Sequence, residues 1–169
     1  MLKNIDVKSI QCNPFELIGD RWALITAGDH ENYNTMTVSW AQMGVLWNKP
    51  VATIYVRPQR YTYRFTEESD YFTVSFFAPG QYREALTICG TSSGRDHDKF
   101  AAAGITPGFA PCGVPYVEQA DLVLVCKKLY VQDLEADCFL NTELRDKAYV
   151  GDDYHRMYVG HIVEAYQNL

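Results

Sequence analysis

The chain has 169 residues, of which 47% are hydrophobic and 14% aromatic, and its formal net charge is −6. This length suits a single domain over residues 1–169, large enough to bury a core without disulfides or a structural metal. The negative charge argues against nucleic acid as a partner, because such a site needs a positive surface. An anionic ligand would have to be held by a local cluster of cations.

The five cysteines are odd in number and have no C-x-x-C spacing, so neither a disulfide framework nor a zinc site is indicated. The four histidines have no metal-ligand spacing, and no metal site is expected. No apolar run approaches the roughly 20 residues that span a bilayer. The N-terminus also lacks the apolar stretch of a signal peptide. We therefore expect a cytoplasmic protein that does not associate with membranes.

Strands dominate the predicted elements, and three short helices interrupt them. Strands are assigned where apolar residues alternate or run continuously between turn residues, and helices where apolar residues recur three or four apart. In chain order, the predicted strands are Trp22–Ala27, Asn34–Trp40, Val51–Val56, Tyr71–Phe77, Leu122–Val131 and Met157–Tyr166. The predicted helices are Arg60–Glu68, Tyr82–Cys89 and Asp96–Ala103. Because strands follow one another without long intervening helices, the pattern favours an antiparallel sheet or barrel over a doubly wound parallel sheet.

The strand predicted at Asn34–Trp40 carries hydroxyl groups on one face, at Thr35, Thr37 and Ser39. In a core each hydroxyl would need a hydrogen-bond partner, because a buried polar group without one is costly. In the wall of a cleft the hydroxyls would be available to a ligand. Trp40 could likewise be a core residue or the wall of a site for an aromatic cofactor. The residues alone leave both interpretations open.

Two arginines and a hydroxyl follow the central strand, at Arg57, Arg60 and Thr62. A helix start offers free N–H groups and partial positive charge, and arginine offers forked donors, so this junction could bind a phosphate. The alternative is that both arginines pair with surface carboxylates such as Glu67 or Glu68. From this motif alone the second interpretation carries more weight.

A second polar loop lies before the third predicted helix. Ser93 followed by Asp96 resembles a capping box, so the loop could be no more than a capped helix start, or it could add Lys99 to an anion site. His155, at the start of the last strand, could bind a ligand or a neighbouring chain, although a structural histidine is more common. No G-x-G-x-x-G motif follows a strand, which disfavours a Rossmann-type nicotinamide site.

Six segments, in the same order, closely resemble the flavin reductase-like, FMN-binding split-barrel family, and in particular its flavoredoxin-type branch. They are NTMTVSW from Asn34, LWNKP from Leu46, VRPQRYTY from Val56, FTVSFF from Phe72, YREALTICGTSSGRDHDKF from Tyr82 and DYHRMYVGHI from Asp153. Each motif is weakly specific, whereas six in order over nearly the whole chain are highly specific. The resemblance implies a mainly β fold, a six-stranded antiparallel Greek-key split β-barrel with a few short helices.

The resemblance also implies a non-covalent FMN cofactor near the interface of a homodimer, with NAD(P)H or a redox partner protein as electron donor. The strand from Asn34 would border the flavin ring, and the cations and hydroxyls would surround the phosphate and ribityl chain. The residues expected at the cofactor are Asn34, Thr35, Met36, Thr37, Ser39, Trp40, Arg57, Arg60, Tyr61, Thr62, Ser75, Phe76, Thr91, Ser92, Ser93, Gly94, Lys99 and His155. No catalytic residue is nominated, since hydride transfer from a nicotinamide to the flavin requires no general acid or base.

Three functions fit this pattern. The leading one is an FMN-dependent oxidoreductase that passes electrons from NAD(P)H, or from a redox partner, through the bound flavin to an acceptor. The second is a flavin-binding electron carrier or sensor without NAD(P)H turnover of its own. The third is a structural β-barrel that has lost its cofactor.

Overall fold

The computed structural model describes residues 1–168, and most of them belong to strands or to the short helices between them. The strands are β1 (Leu2–Ile5), β2 (Ala23–Gly28), β3 (Tyr33–Val38), β4 (Ala41–Leu46), β5 (Lys49–Val56), β6 (Tyr71–Phe76), β7 (Pro107–Phe109), β8 (Pro115–Val117), β9 (Leu122–Asp133) and β10 (Arg156–Asn168). The α-helices are α1 (Thr62–Glu68), α2 (Arg83–Thr91), α3 (Lys99–Ala103) and α4 (Thr142–Ala148). None of the helices within residues 1–168 is long and apolar enough to cross a membrane.

The main sheet follows the order β3-β2-β6-β9-β10-β5-β4, with β1 added beside β10, and every pairing is antiparallel. Strands β3 and β4 are consecutive in the chain yet lie at opposite ends of this order. Side chains from both ends, such as Met36 of β3 and Ile54 of β5, belong to one buried cluster. The sheet therefore curves around a common core and stays split between β3 and β4. The fold is a split β-barrel, as the sequence predicts.

The strand count differs from the prediction, because the main sheet has eight strands instead of six. The six predicted strands correspond to β2, β3, β5, β6, β9 and β10. The two additional strands have weak local patterns. Strand β1 is a short polar segment that pairs only with the far end of the chain, Leu2 opposite Asn168. Strand β4 contains Gly44 and has exposed or half-buried side chains throughout.

Helix α2 packs against the outer face of β2 and so sets the position of the loop that follows it. Ala85, Leu86 and Cys89 recur at helical spacing and are buried with Leu24 of β2 and Phe100 of α3. This packing places the segment between α2 and α3 against the start of β3. Most of the hydroxyls and cations of the polar loop predicted before the third helix are therefore brought next to β3.

The predicted capping box at Ser93 and Asp96 is wrong. Helix α3 begins at Lys99, and its cap is Asp98, whose carboxylate accepts hydrogen bonds from the backbone N–H groups of Phe100 (2.9 Å) and Ala101 (3.2 Å). Ser93 instead accepts a hydrogen bond from the backbone N–H of Arg95. The loop before α3 is thus longer than predicted, and Ser93 does not cap α3.

Candidate functional site

Three adjoining cavities lie where β3, β5 and the segment between α2 and α3 meet. The cationic pocket, of about 230 Å³, is lined by Gln59, Arg60, Tyr61, Gly90, Thr91, Ser92, Ser93, Arg95 and Lys99. The central cleft, of about 200 Å³, is lined by Met36, Thr37, Val38, Ser39, Trp40, Tyr55, Arg57, Arg60 and His155. The apolar groove, of about 640 Å³, is lined by Pro14, Phe15, Ile18, Gly19, Ser39, Trp40, Ala41, Gln42, Met43, Tyr55, Leu134 and Tyr149. Shared residues join each cavity to the next.

The cationic pocket holds two buried or half-buried cations without a carboxylate partner. Lys99 is only 3% exposed, and its Nζ donates to the backbone carbonyls of Thr35 (3.0 Å) and Cys89 (2.8 Å). Arg60 makes one long hydrogen bond, 3.5 Å from Nη2 to the Cys89 carbonyl, and within residues 1–168 it forms no ion pair. Burial, with a contribution from Arg60, lowers the pKa of Lys99 to about 8. An anion would relieve this unbalanced positive charge.

The loop around Gly94 completes the pocket. A Cβ atom on Gly94 would lie 2.1 Å from Oδ1 of Asn34, so only glycine allows the loop to lie this close to β3. The amide of Asn34 donates to the hydroxyl of Thr62 (2.8 Å), which anchors the same contact to α1. Asn34, Thr62 and Gly94 therefore support the pocket, whereas Ser93 and Arg95 line it. The Arg95 guanidinium lies over the Tyr61 ring, 5.0 Å from its centroid.

The hydroxyl face of β3 is divided between core and cleft. Thr35 is fully buried, where it donates to the carbonyl of Ile25 and accepts from the hydroxyl of Thr26, each at 3.0 Å. Thr37 lines the central cleft and donates to the Leu86 carbonyl (2.5 Å), while Ser39 lines both the central cleft and the apolar groove. The predicted hydroxyl face is thus core at Thr35 and cavity wall at Thr37 and at Ser39, which follows β3.

His155 lies in the central cleft between aromatic rings. Its Nδ1 is 2.8 Å from the Tyr149 hydroxyl, and its ring centroid is 5.3 Å from that of Trp40 and 6.5 Å from that of Tyr55. The side chain is 8% exposed. Burial, with a contribution from the nearby Arg57, lowers the pKa of His155 to about 4. The imidazole is therefore neutral at physiological pH.

Arg57 is already engaged by the segment between β9 and β10. It pairs with Asp153, donates from Nη2 to the Ala148 carbonyl (3.0 Å), and lies over the Tyr149 ring, 5.3 Å from its centroid. Gln59 donates to the same Asp153 carboxylate (2.5 Å). Arg57 thus ties this segment to β5, and its charge is balanced before any ligand binds.

The comparisons with known proteins agree with this architecture. Residues 16–169 match the sequence model of the family described as "Flavin reductase like domain". The chain belongs to the flavin reductase-like family. The predicted family is therefore confirmed, and no curated protein matches the chain at a significant level.

Solved structures of this flavin reductase-like type share the fold at low identity. An FMN-binding protein from Thermus thermophilus with bound p-hydroxybenzaldehyde is 22% identical over 87% of this chain and 71% of that one, with a TM-score of 0.68. Flavoredoxin from Methanosarcina acetivorans is 23% identical over 88% of this chain and 68% of that one, with a TM-score of 0.67. A putative flavin reductase with a split barrel domain from Shewanella frigidimarina is 18% identical over 95% of this chain and 76% of that one, with a TM-score of 0.68.

Most of the residues expected at the cofactor lie together in this member of the flavin reductase-like family. Those that line the cationic pocket or the central cleft are Met36, Thr37, Ser39, Trp40, Arg57, Arg60, Tyr61, Thr91, Ser92, Ser93, Lys99 and His155. Those that line none of the three cavities are Asn34, Thr35, Thr62, Ser75, Phe76 and Gly94. Of these, Asn34, Thr62 and Gly94 support the cationic pocket through the contacts described above. Ser75 is buried and accepts from the backbone N–H of Val117 (3.3 Å), and Phe76 packs in the main core, because β6 lies inside the sheet between β2 and β9.

Sequence reasoning missed several lining residues, including Tyr55 and Arg95. Tyr55 stands on β5 two positions before Arg57, which directly follows the strand, and residues two apart in extended chain share a face. That alternation was the signal that could have found it. Arg95 lies inside the quoted motif but is brought to the pocket by the loop geometry around Gly94, for which the local sequence gives no direct signal.

Proposed function

We propose that this protein is an FMN-binding oxidoreductase that passes electrons from NAD(P)H, or from a redox partner, through the bound flavin to an acceptor. The observation that carries the proposal is the direct connection of a carboxylate-free cationic pocket to a cleft walled by Trp40 and Tyr55. One ligand with a phosphate at one end and a planar ring at the other fits this arrangement. The structural relatives are themselves described as FMN-binding proteins and flavoredoxins.

The donor set of the cationic pocket fits a phosphate. Arg60 and Lys99 contribute positive charge, Arg95 lies beside them, and the hydroxyl of Ser93 keeps its own proton available while it accepts from the loop backbone. No Asp or Glu belongs to the described lining, so nothing there repels an anion. Charge-assisted hydrogen bonds of this kind are roughly twice as strong as neutral ones. An acidic protein can therefore hold a phosphate at this one place.

The central cleft fits a planar aromatic ring. Ser39 offers a free hydroxyl along one wall, and Thr37 offers a hydroxyl oxygen whose proton is donated to the Leu86 carbonyl. Trp40 and Tyr55 offer ring faces. When bound, FMN supplies the redox chemistry, and the protein supplies position and electrostatics. The residues of the cleft would hold the ring at the split between β3 and β4, exclude water from its covered side and leave the apolar groove open to a second molecule. His155 remains neutral there and adds no charge.

We also propose that the protein acts as a homodimer. The end of β4 and the turn Trp47–Asn48 that follows it present exposed apolar side chains, with Val45 of β4 78% exposed and Trp47 of the turn 54% exposed. Tyr130 and Val131 of β9 are exposed as well, and Trp47 lies against Tyr130, 6.3 Å between ring centroids. Strand β4 is also an unprotected sheet edge without charged residues, which favours pairing with another chain.

The electron-donor part of the proposal is tested by rapid mixing. The FMN-loaded protein is mixed anaerobically with NADH and, separately, with NADPH, and the visible flavin absorption is followed. Bleaching within the time of turnover supports an oxidoreductase that uses that nucleotide. Loss of absorption with dithionite but with neither nucleotide would instead support an electron carrier or sensor that depends on a partner protein.

A further inference from the structure

The apolar groove is the largest of the three cavities, and the proposed flavin site does not account for it. Its volume is about 640 Å³, within the range of small-molecule sites. None of the described residues that line it is Asp, Glu, Lys or Arg. A charged ligand would leave its charge unpaired against this wall, at a considerable desolvation cost. The lining therefore favours an uncharged molecule.

Polar groups are few and are placed at the end of the groove that meets the central cleft. Ser39 and Tyr55 belong to both cavities, and Gln42 lines the groove nearby. The side chains of these three residues make no hydrogen bond within residues 1–168. Every buried polar side-chain atom there does have a hydrogen-bond partner, so the polar atoms of these three are not buried. They are therefore open to the cavity or to solvent. An apolar lining with a few free polar groups at one end is typical of a site for a small organic molecule.

His155 adds a further polar group beside the groove, in the central cleft. Nδ1 of His155 lies 2.8 Å from the Tyr149 hydroxyl. This contact is compatible with either tautomer, and we assign the hydroxyl as the donor, which makes Nδ1 the acceptor. The proton of the neutral imidazole is then on Nε2. Nε2 makes no hydrogen bond within residues 1–168. Since every buried polar side-chain atom there has a partner, Nε2 is not buried, and it is open to the central cleft that His155 lines.

We propose that the apolar groove binds an uncharged, planar molecule that carries a carbonyl oxygen, and that His155 donates its Nε2–H to that oxygen. Trp40, Tyr55 and Tyr149 surround His155 and line the groove, so such a molecule would lie on aromatic faces while its carbonyl points to the cleft. The inference rests on the proposed function in one respect, that the cleft beside the carbonyl is the flavin site. It identifies the chemical class of the groove's ligand as a neutral, planar carbonyl compound.

The test measures binding of three matched probes to the FMN-loaded protein by calorimetry. Coumarin is planar, uncharged and has a carbonyl, naphthalene has a similar shape without the carbonyl, and coumarin-3-carboxylate adds a negative charge. We expect coumarin to bind roughly fivefold to tenfold more tightly than naphthalene, because of one additional hydrogen bond. The carboxylate should bind at least about tenfold more weakly than coumarin. Equal affinity for coumarin and its carboxylate, or no detectable coumarin binding, would overturn the proposal.

Two sets of variants locate the site. His155→Leu should abolish the preference for coumarin over naphthalene, whereas His155→Gln, which keeps an N–H donor, should retain part of it. Naphthalene binding serves as the check that His155→Leu is folded. Gln42→Arg places a cation in the groove wall and should improve carboxylate binding about threefold to tenfold. Gln81→Arg makes the same charge change outside the groove and should leave the affinity for coumarin-3-carboxylate unchanged. If that affinity improved equally in the Gln42 and Gln81 variants, the ligand would not be bound in the apolar groove.

The same measurements separate this inference from the proposed function. FMN binding is followed independently through the quenching of flavin fluorescence. If FMN binds and coumarin does not, the groove assignment fails alone. If coumarin binds with the expected preference to a protein that does not bind FMN, the proposed function fails and the groove assignment stands as a ligand site.

Discussion

The contribution of Arg60 to phosphate binding can be tested by comparing FMN with riboflavin, which lacks the phosphate. Arg60 makes a single long hydrogen bond of 3.5 Å and forms no ion pair within residues 1–168, so little competes with a bound phosphate for its N–H groups. A hydrogen bond to a charged group contributes about 1.5–3 kcal/mol. Replacement by Ala should therefore weaken FMN binding roughly tenfold to 150-fold, since 1.4 kcal/mol corresponds to tenfold.

The assay is a titration of apoprotein into each flavin, with fluorescence quenching as the readout. Riboflavin affinity should change by no more than about twofold to threefold in Arg60→Ala, because the ring contacts remain. Lys8→Ala is the control, since Lys8 is an exposed cation that forms no ion pair within residues 1–168 and lines none of the three cavities. Equal losses for FMN and riboflavin, or an unchanged affinity for FMN, would refute the assignment of Arg60 to the phosphate.

Arg57 should behave differently, although the sequence gives it the same expectation. Because Arg57 already pairs with Asp153 and holds the Ala148 carbonyl, its replacement by Ala loosens the segment that carries Tyr149. We expect FMN and riboflavin to lose affinity to a similar extent. Selective loss of FMN binding in Arg57→Ala would mean that the arginine leaves Asp153 and reaches the phosphate.

Three further predictions concern pH and assembly. FMN affinity should fall from about pH 8 upward, because Lys99 loses its proton. Riboflavin affinity, and the affinity of Lys99→Arg for FMN, should show no such fall. Flavin titrations across the pH range measure all three. The pKa of His155 drops from 6.5 to about 4 on folding, so as the pH falls the unfolded chain gains this proton first. The corresponding part of the free energy of unfolding is fully present above about pH 6.5 and should be lost as the pH falls toward 4. Over that pH interval, chemical denaturation should show the free energy of unfolding of His155→Gln rising by up to about 3 kcal/mol relative to that of the unmodified protein. His97→Gln, at an exposed position, is the control and should show no such rise. Val45→Glu should give a monomer in sedimentation velocity, whereas Val150→Glu, at a similarly exposed position beyond α4, should leave the dimer intact.

The parts of the fold that could be predicted from sequence are those with a strong local pattern. The continuous apolar run of β5 and the long apolar start of β9 identify buried strands without any knowledge of their partners. Strand β1 has no such pattern, because its pairing depends on residues at the other end of the chain. Helix α4 was missed because it buries none of its side chains and so has no amphipathic spacing.

The candidate site divides in the same way. The hydroxyls and cations around Arg60 and Lys99 were predicted because each lies in a short recognisable motif. The pairing of Arg57 with Asp153 joins residues 96 positions apart, and no local rule indicates it. The burial of Ser75 likewise depends on Val117, which supplies a backbone N–H to its hydroxyl. Predictions from local pattern thus found the charged groups but not the contacts that decide which of them remain available.

The most direct test of the central claim is the absorption spectrum of the purified protein, followed by mass identification of the released ligand and titration of the apoprotein with FMN. We expect the visible bands of oxidised flavin, a released ligand with the mass of FMN, and quenching of FMN fluorescence that is weaker in Arg60→Ala. A colourless protein that leaves the fluorescence of added FMN unchanged would contradict it.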